Sequence, residues 1–366
     1  MRIYKPEGNM RGKFTGFKIT ELRRFMQDGT IIEAPATKCD SDLNLYFDLG
    51  LNISGVIPYS EMEYNRNGDK TKNVAVVSRV TKTTCFKVIN IEETGEDHYN
   101  VTLSRRQAQK ECYDNFVAKL QLGQVINCKI THVEEYGAFC DLGCGLIALL
   151  PVENFCIARI RDPKRTISKY RNLKVIVKSV DDNGRIILTQ KELLGTWEQE
   201  AAKFKPGDTV AGTVRLVEEY GVFVELTPNL AGLAEPISDV HVGDTVSVFI
   251  KSIIPEKMKI KLLIVDHSNP DSKLFMKLHY RIPKSGFVRY WVYSPEGAYK
   301  LIDSHICDEE DASENENDKD SEIKEVVVNN EDANIVENEA ETDAENSDTD
   351  NKLDTPDDVN NAEIEE

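Results

Sequence analysis

No stretch of 18 consecutive apolar residues occurs anywhere in this 366-residue chain, which excludes a membrane-spanning helix on length alone. The opening segment, Met1 to Thr15, has no apolar core of the kind a secretory leader needs, so a cytoplasmic protein without a membrane partner is expected. Cysteine is sparse: there are eight, none in a Cys-x-x-Cys pair, which argues against a disulfide framework and against zinc ribbons. Cys128, Cys140, Cys144 and Cys156 fall close together, but without knuckle spacing they read as buried free thiols rather than metal ligands. A glycine-rich phosphate loop, a metal-ligand cluster and a nucleophile motif are all missing, and the six histidines are scattered. No enzyme, no cofactor and no small-molecule substrate are therefore expected.

The net charge of −18 would by itself repel a polyanion, but it is unevenly placed. Residues 308–366 hold 25 Asp or Glu against three Lys, a net of −22, so the chain's −18 leaves Met1 to Cys307 at +4. The body is mildly basic. The tail has no aromatic residue and too little apolar surface to offset the entropy of ordering, so 308–366 reads as disordered. It serves either as a solubilising extension or as an electrostatic decoy for whatever anion the body binds.

What the body does have is an internal repeat. Val133-Glu-Glu-Tyr-Gly-Ala-Phe-Cys-Asp-Leu142 recurs 84 residues later as Val217-Glu-Glu-Tyr-Gly-Val-Phe-Val-Glu-Leu226, with seven of ten positions identical. Each follows a turn and a β-branched run beginning at Gly123 or Gly207. Short alternating apolar runs bounded by Gly, Pro, Asn or Asp predict five strands per unit. They fall near 124–133, 137–142, 146–150, 174–180 and 185–190, and near 209–217, 221–226, 232–235, 245–254 and 258–263. So short a set of strands closes most readily into a barrel, which leaves no exposed edge. A weaker first copy spans about Gly29 to Arg105, where Leu43 to Gly50 aligns with Tyr136 to Gly143.

These motifs resemble the S1 RNA-binding domain, an OB-fold barrel. The arrangement is similar to that of the short ribosomal protein S1 family of Firmicutes. The resemblance rests on the Tyr-Gly-x-Phe-x-Asp/Glu-Leu strand, the Gly-Gln-Val-Ile and Gly-Asp-Thr-Val starts, and the Asp181-to-Thr189 closing run, complete only in the second copy. It implies an all-β architecture of tandem five-stranded barrels joined by short helices. The expected plan is an N-terminal arm (1–28), barrels at 29–105, 122–190 and 206–265, linker helices at 106–121 and 191–205, a small α+β extension (266–307) and the acidic tail.

In that family single-stranded RNA is held on one barrel face by two aromatic residues three apart, a His, and an Asp and Arg four apart. Carried over, the second copy supplies Tyr136, Phe139, Asp181 and Arg185, with Pro151 at the His position. Two aromatics three apart on a two-residue pleat cannot both point into a core. The third copy keeps Tyr220 and Phe223, with Glu235 at the His position and Pro255 and Lys259 for the Asp and Arg. The first keeps only Tyr46, beside Leu43, Pro58 and Asn100, which favours a protein contact there. The segment from Arg159 to Lys174 carries Arg159, Arg161, Lys164, Arg165, Lys169, Arg171 and Lys174 against one acid, Asp162. So many like charges on one loop point to phosphate. Residues 273–305 concentrate aromatics that read as core, with Ser294 to Gly297 a turn before a short helix through Ile302. The implied partners are mRNA and the 30S ribosomal subunit. The alternatives are a ribosome-independent RNA-binding regulator and a protein-binding adaptor on the same barrels.

Overall fold

The computed structural model describes residues 4–9, 14–66, 71–95, 97–167, 172–181, 184–268, 278–307 and 323–328. The first unit consists of α1 (Ile19–Asp28), β1 (Ile32–Cys39), β2 (Leu45–Gly50), β3 (Ile53–Ile57), α2 (Asn73–Val77), β4 (Thr83–Gly95) and β5 (His98–Ser104). Helix α3 (Arg105–Asn115) leads to β6 (Val125–Glu134), β7 (Gly137–Gly143), β8 (Leu146–Pro151), α4 (Pro163–Ile167), β9 (Asn172–Val180) and β10 (Ile186–Thr189). After α5 (Trp197–Ala201) come β11 (Thr209–Glu218), β12 (Gly221–Thr227), β13 (Leu230–Ala234), β14 (Thr245–Ile254) and β15 (Lys259–Ser268).

Each set of five strands closes into a barrel of the same connectivity, its third strand pairing with its fifth in parallel. The alternating sequence produces this directly. Along β14, Val246, Val248 and Ile250 are buried while the residues between them are not, and β2 does the same with Leu45, Phe47 and Leu49. One side of each strand thus fills a barrel interior and the other is left to face outward.

The two linkers hold the barrels together by different physics. Barrels two and three share one continuous apolar core, to which Leu193, Leu194 and Trp197 of the linker and Tyr280, Trp291 and Tyr293 of the C-terminal extension belong. Buried Asn229 at the β12–β13 turn ties three segments: its Oδ1 accepts from the Ile157 amide at 3.0 Å, and its Nδ2 donates to the carbonyls of Lys191 (2.8 Å) and Gly195 (2.9 Å). Tyr280 Oη donates to Gln190 Oε1 at 3.1 Å. The extension aromatics are therefore core as expected, although Tyr290 and Tyr299 are exposed.

Barrels one and two instead meet around a buried charge. The N-terminal arm threads between them and places Glu7 where Arg105 Nε donates to Oε1 at 2.8 Å and Arg79 pairs with Oε2. The Glu7 amide donates to Asp141 Oδ2 (2.8 Å), and Lys129 Nζ to the Glu7 carbonyl (2.6 Å). Asp141 Oδ1 also accepts the amides of Gly143 (2.8 Å) and Gly145 (2.9 Å). Burial pushes the Glu7 carboxyl upward, but the two guanidinium groups outweigh it and hold the group down at about 2. Burial and the Glu7 charge push Asp141 the other way, to about 7.

Three expectations need correction. The run Ile323–Val328 lies in the tail read as wholly disordered, yet forms β19, antiparallel to β16 (Leu278–Pro283). It contains Val326-Val-Val328, a β-branched run that the acidic composition around it obscures. The short helix through Ile302 is absent from the described extension, where β17 (Tyr290–Val292) pairs with β18 (Asp303–His305). The extension's described strands make two small sheets, so the α+β reading becomes all-β. The second linker, expected as one helix, is a short 3-10 turn (Lys191–Leu194) followed by the single-turn α5, because Gly195 at φ +90° breaks it. The rest of the acidic tail lies outside the described residues.

Replacing Glu7 by Gln removes the partner of a buried guanidinium, and Glu7→Gln should cost about 3–5 kcal/mol at neutral pH. Because the folded Glu7 sits below its ordinary 4.5, its contribution is present above that value and is lost as pH falls towards 2. Thermal unfolding of both proteins across this range should show the wild type losing more stability than Glu7→Gln. Parallel curves would refute the assignment.

Candidate nucleic-acid interface

The outward sides of the barrels carry the residues singled out above. In barrel two, cross-strand register sets His132 of β6, Phe139 of β7, Leu149 of β8, Ile187 of β10 and Ser179 of β9 abreast in one row. None of the five is buried. Tyr136, 56% exposed, stands at the end of this row, its ring 6.0 Å from that of Phe139 and nearly perpendicular to it (86°). The pair thus presents one ring face and one ring edge, a geometry aromatic quadrupoles favour.

Barrel three repeats the arrangement, except that Leu216, at the position of His132, is buried. Leu216, Phe223, Leu233, Lys261 and Ser252 lie abreast. Tyr220 is 65% exposed, with its ring 6.2 Å from Phe223 at 89°. The glycine after each tyrosine has a steric reason. A Cβ on Gly137 would lie 2.4 Å from the Leu150 carbonyl oxygen, and one on Gly221 would lie 2.5 Å from that of Ala234. Neighbouring backbone passes there too closely for a side chain.

The structure separates the remaining candidates. Arg185 is exposed and two residues before Ile187, but Asp181 closes the β9–β10 turn, its Oδ1 accepting the Arg185 amide at 2.7 Å. Lys259 and Lys261 are exposed on β15, while Glu235 is taken by Lys251 at 2.6 Å. Tyr46 is only half exposed: Lys38 Nζ lies 4.8 Å from its ring centroid, and its hydroxyl donates to Asp40 Oδ2 at 3.0 Å. Its row in barrel one is Lys38, Tyr46, Val56, Thr102 and Asn90, with no second aromatic.

The basic segment is not the free loop expected. Its centre is α4, whose Thr166 and Ile167 are buried, and Lys174 is a buried residue of β9. Arg159, Arg161, Lys164 and Arg165 are exposed, yet three have protein partners. Arg161 pairs with Glu218 (3.0 Å), Lys164 with Glu134 (3.1 Å), and Arg165 Nη1 donates to the Val242 carbonyl (3.2 Å). Acids distant in sequence relieve much of the repulsion that pointed to phosphate, and two of these contacts fasten barrel two to barrel three. Lys169 and Arg171 lie outside the described residues.

One residue was missed. The family histidine falls on Pro151, but His132 reaches the patch from the neighbouring strand, its ring stacked 6.3 Å from Phe139 at 20°. Its Nε2 lies 2.5 Å from Glu134 Oε1, and hydrogen bonds from His132 and Lys164 hold the Glu134 carboxyl below its ordinary range. A register shift between Ile130 and His132 turns it to this side; simple alternation along β6 could not have shown that.

Residues 119–191 match the S1 RNA binding domain family. The second barrel is the part of the chain that is similar to this family. The chain is 30% identical over 259 residues to the small ribosomal subunit protein bS1 homolog of Bacillus subtilis (strain 168), covering 68% of this chain and 63% of that protein. It is 29% identical over 197 residues to small ribosomal subunit protein bS1 of Staphylococcus aureus (strain COL), covering 52% and 49%. The chain thus spans about half to two thirds of the length of these curated relatives. A crystal structure of a multidomain protein with nucleic acid binding domains from Streptococcus pneumoniae matches 66% of this chain and 74% of that one, at 14% identity. Its TM-score of 0.22 gives it no weight.

Cys128, Cys140, Cys144 and Cys156 are buried free thiols. Among the described residues no group of three or more His, Cys, Asp and Glu could hold a metal, and no helix is long and apolar enough to cross a membrane.

Exposed Tyr136 and Tyr220 should be dispensable for folding: each Tyr→Ala should leave thermal stability within about 0.5 kcal/mol. Gly137→Ala and Gly221→Ala should each be destabilising, because the added methyl forces neighbouring strands apart. Thermal melts of the four variants check this, and an equal loss in all four would mean that the tyrosines are core.

Proposed function

We propose that this chain binds single-stranded RNA, mRNA in particular, across the outer faces of its second and third barrels, as a ribosomal protein S1-like factor of translation. The observation that carries this reading is the paired aromatic motif, repeated in two barrels with its tyrosine exposed and its phenylalanine set in an outward row. Bases stack on such rings at about 1–3 kcal/mol each whatever their identity, so the surface holds unstructured RNA without reading sequence. Arg185 and Lys259 border the rows and Lys261 lies within the second of them, and all three supply charge for phosphates; such contacts position a strand without specifying it. His132 adds a second planar ring to the barrel-two patch.

The barrels are unequal in this role. Barrel two has the fullest face, barrel three replaces its apolar Ile187 equivalent by Lys261, and barrel one has its single ring occupied by Lys38. The first barrel and the arm serve as the anchor, with the small ribosomal subunit as the partner that the names of the relatives suggest. The site of action is the cytoplasm, and the chain performs no catalytic step. Arg161 and Arg165 act chiefly at the barrel junction and Lys164 is paired with Glu134, so Arg159 is the exposed cation of this segment proposed for a phosphate.

Single-stranded RNA affinity measured against salt tests the reading on a chain ending at residue 336, which keeps β19 in place. Log affinity should fall linearly with log salt, with a slope of about −0.7 per phosphate neutralised. Tyr136→Ala and Tyr220→Ala should each weaken binding by about 1–3 kcal/mol. Affinity that ignores both substitutions and salt sinks the proposal and favours a protein-binding adaptor. Sedimentation with small subunits at low salt tests the anchor separately: failure to co-sediment removes the translation role and leaves RNA binding intact.

A further inference from the structure

Between barrels one and two lies a cavity of about 200 Å³ that belongs to neither aromatic face. Two tyrosines form its polar side: Tyr64, after the last turn of the β3 loop, and Tyr113 on α3, with ring centroids 5.7 Å apart and planes tilted by 48°. The exposed Arg66 guanidinium lies 5.8 Å from the Tyr113 centroid. Barrel two closes the opposite side with Ile147 and Ile186. Gly184, at φ +73° in the β9–β10 turn, comes so near that a Cβ there would lie 2.4 Å from Arg66 Nη1. Barrel one thus contributes the cation, the linker helix an aromatic face and barrel two the apolar wall.

We propose that this cavity is an additional nucleotide site, in which one base of the bound RNA strand stacks against the tyrosine pair, whose rings are too close to admit it between them, while Arg66 takes its phosphate. The inference rests on the RNA-binding reading and extends it to a place no aromatic motif marks. Size supports one heterocycle: the cavity is smaller than the roughly 300–1,000 Å³ that drug-sized ligands occupy. Chemistry supports a base, since tilted aromatic walls with a guanidinium at the rim offer stacking and cation–π contact together. Position supports continuity with the barrel-two face. Ile147 is 44% exposed and two residues from Leu149 of the aromatic row, about 7 Å along the same side of β8. Arg185 follows Gly184 directly, so a strand leaving the aromatic face meets Arg185 and then Arg66.

The test compares a short single-stranded RNA that one barrel face can cover with a longer one, on the full chain and on Arg66→Gln, Tyr113→Ala and Tyr136→Ala. Tyr136→Ala should weaken both RNAs. Tyr113→Ala should weaken the longer RNA by about 5- to 150-fold, the span for losing one stacked base, and leave the short one unchanged. Arg66→Gln, at an exposed position, should flatten the salt slope for the longer RNA by about 0.7. If Tyr136→Ala weakens binding while Arg66→Gln and Tyr113→Ala both leave the longer RNA untouched, the cavity is overturned and the aromatic faces stand. If Tyr136→Ala itself has no effect, the RNA-binding reading falls first. A nucleoside 5′-monophosphate titrated alone supplies the last arm: saturable binding lost in Arg66→Gln, with longer-RNA affinity unchanged, would make this a free-nucleotide site and overturn its place on the RNA path.

Discussion

A carboxylate in a protein interior is tolerated only when its charge is answered, and Glu7 meets that condition with groups drawn from far along the chain. Arg79 comes from the segment before β4 and Arg105 from the start of α3, while Asp141, from β7 of the next barrel, accepts the Glu7 backbone amide. None of these can leave without stranding another, so the arm, the first barrel, the linker helix and the second barrel are fixed as one piece. That constraint sets the wall positions of the cavity between barrels one and two, because Tyr113 rides on the helix that Arg105 begins. The junction of barrels two and three depends on apolar burial and on Asn229 instead, with the ion pair of Arg161 and Glu218 on its surface.

Much of this architecture is legible in the sequence. Alternation placed the strands of barrels two and three within a few residues, because the physics of a half-buried strand is local and has a period of two. The fold of the barrels followed from the repeat itself. Several of the errors originate in interactions between distant residues. Nothing in the spacing of Arg161 says that Glu218 waits in another barrel, so the basic segment looked like an unanswered charge. The strand at Ile323–Val328 is created by its partner, Leu278–Pro283, and a window of acidic composition hides it. His132 was overlooked because a bulge breaks the alternation on which counting relies. Asp181, carried over from a family position, also closes its own turn by accepting the Arg185 amide.

The three barrels show how one scaffold is diverted to different uses by what fills its outer row. An aromatic pair with apolar neighbours, an aromatic pair with lysine, and a lone tyrosine capped by lysine all occupy the same strands in the same register. The interior alternation is common to all three, so the exposed positions of the outer row can diverge at little cost to the interior. This separation of inner and outer faces is what lets repeated domains specialise.

The crowded glycines behind Tyr136 and Tyr220 bear on that freedom. Because neighbouring backbone presses on Gly137 and Gly221, the chain's path at this corner is dictated by barrel closure and cannot be re-aimed to suit a ligand. Any change in how these barrels grip a partner must therefore be made by exchanging side chains on a fixed frame. The tyrosine behaves as an interchangeable tool in a rigid holder, and a base arriving there meets a ring whose position was settled when the barrel closed.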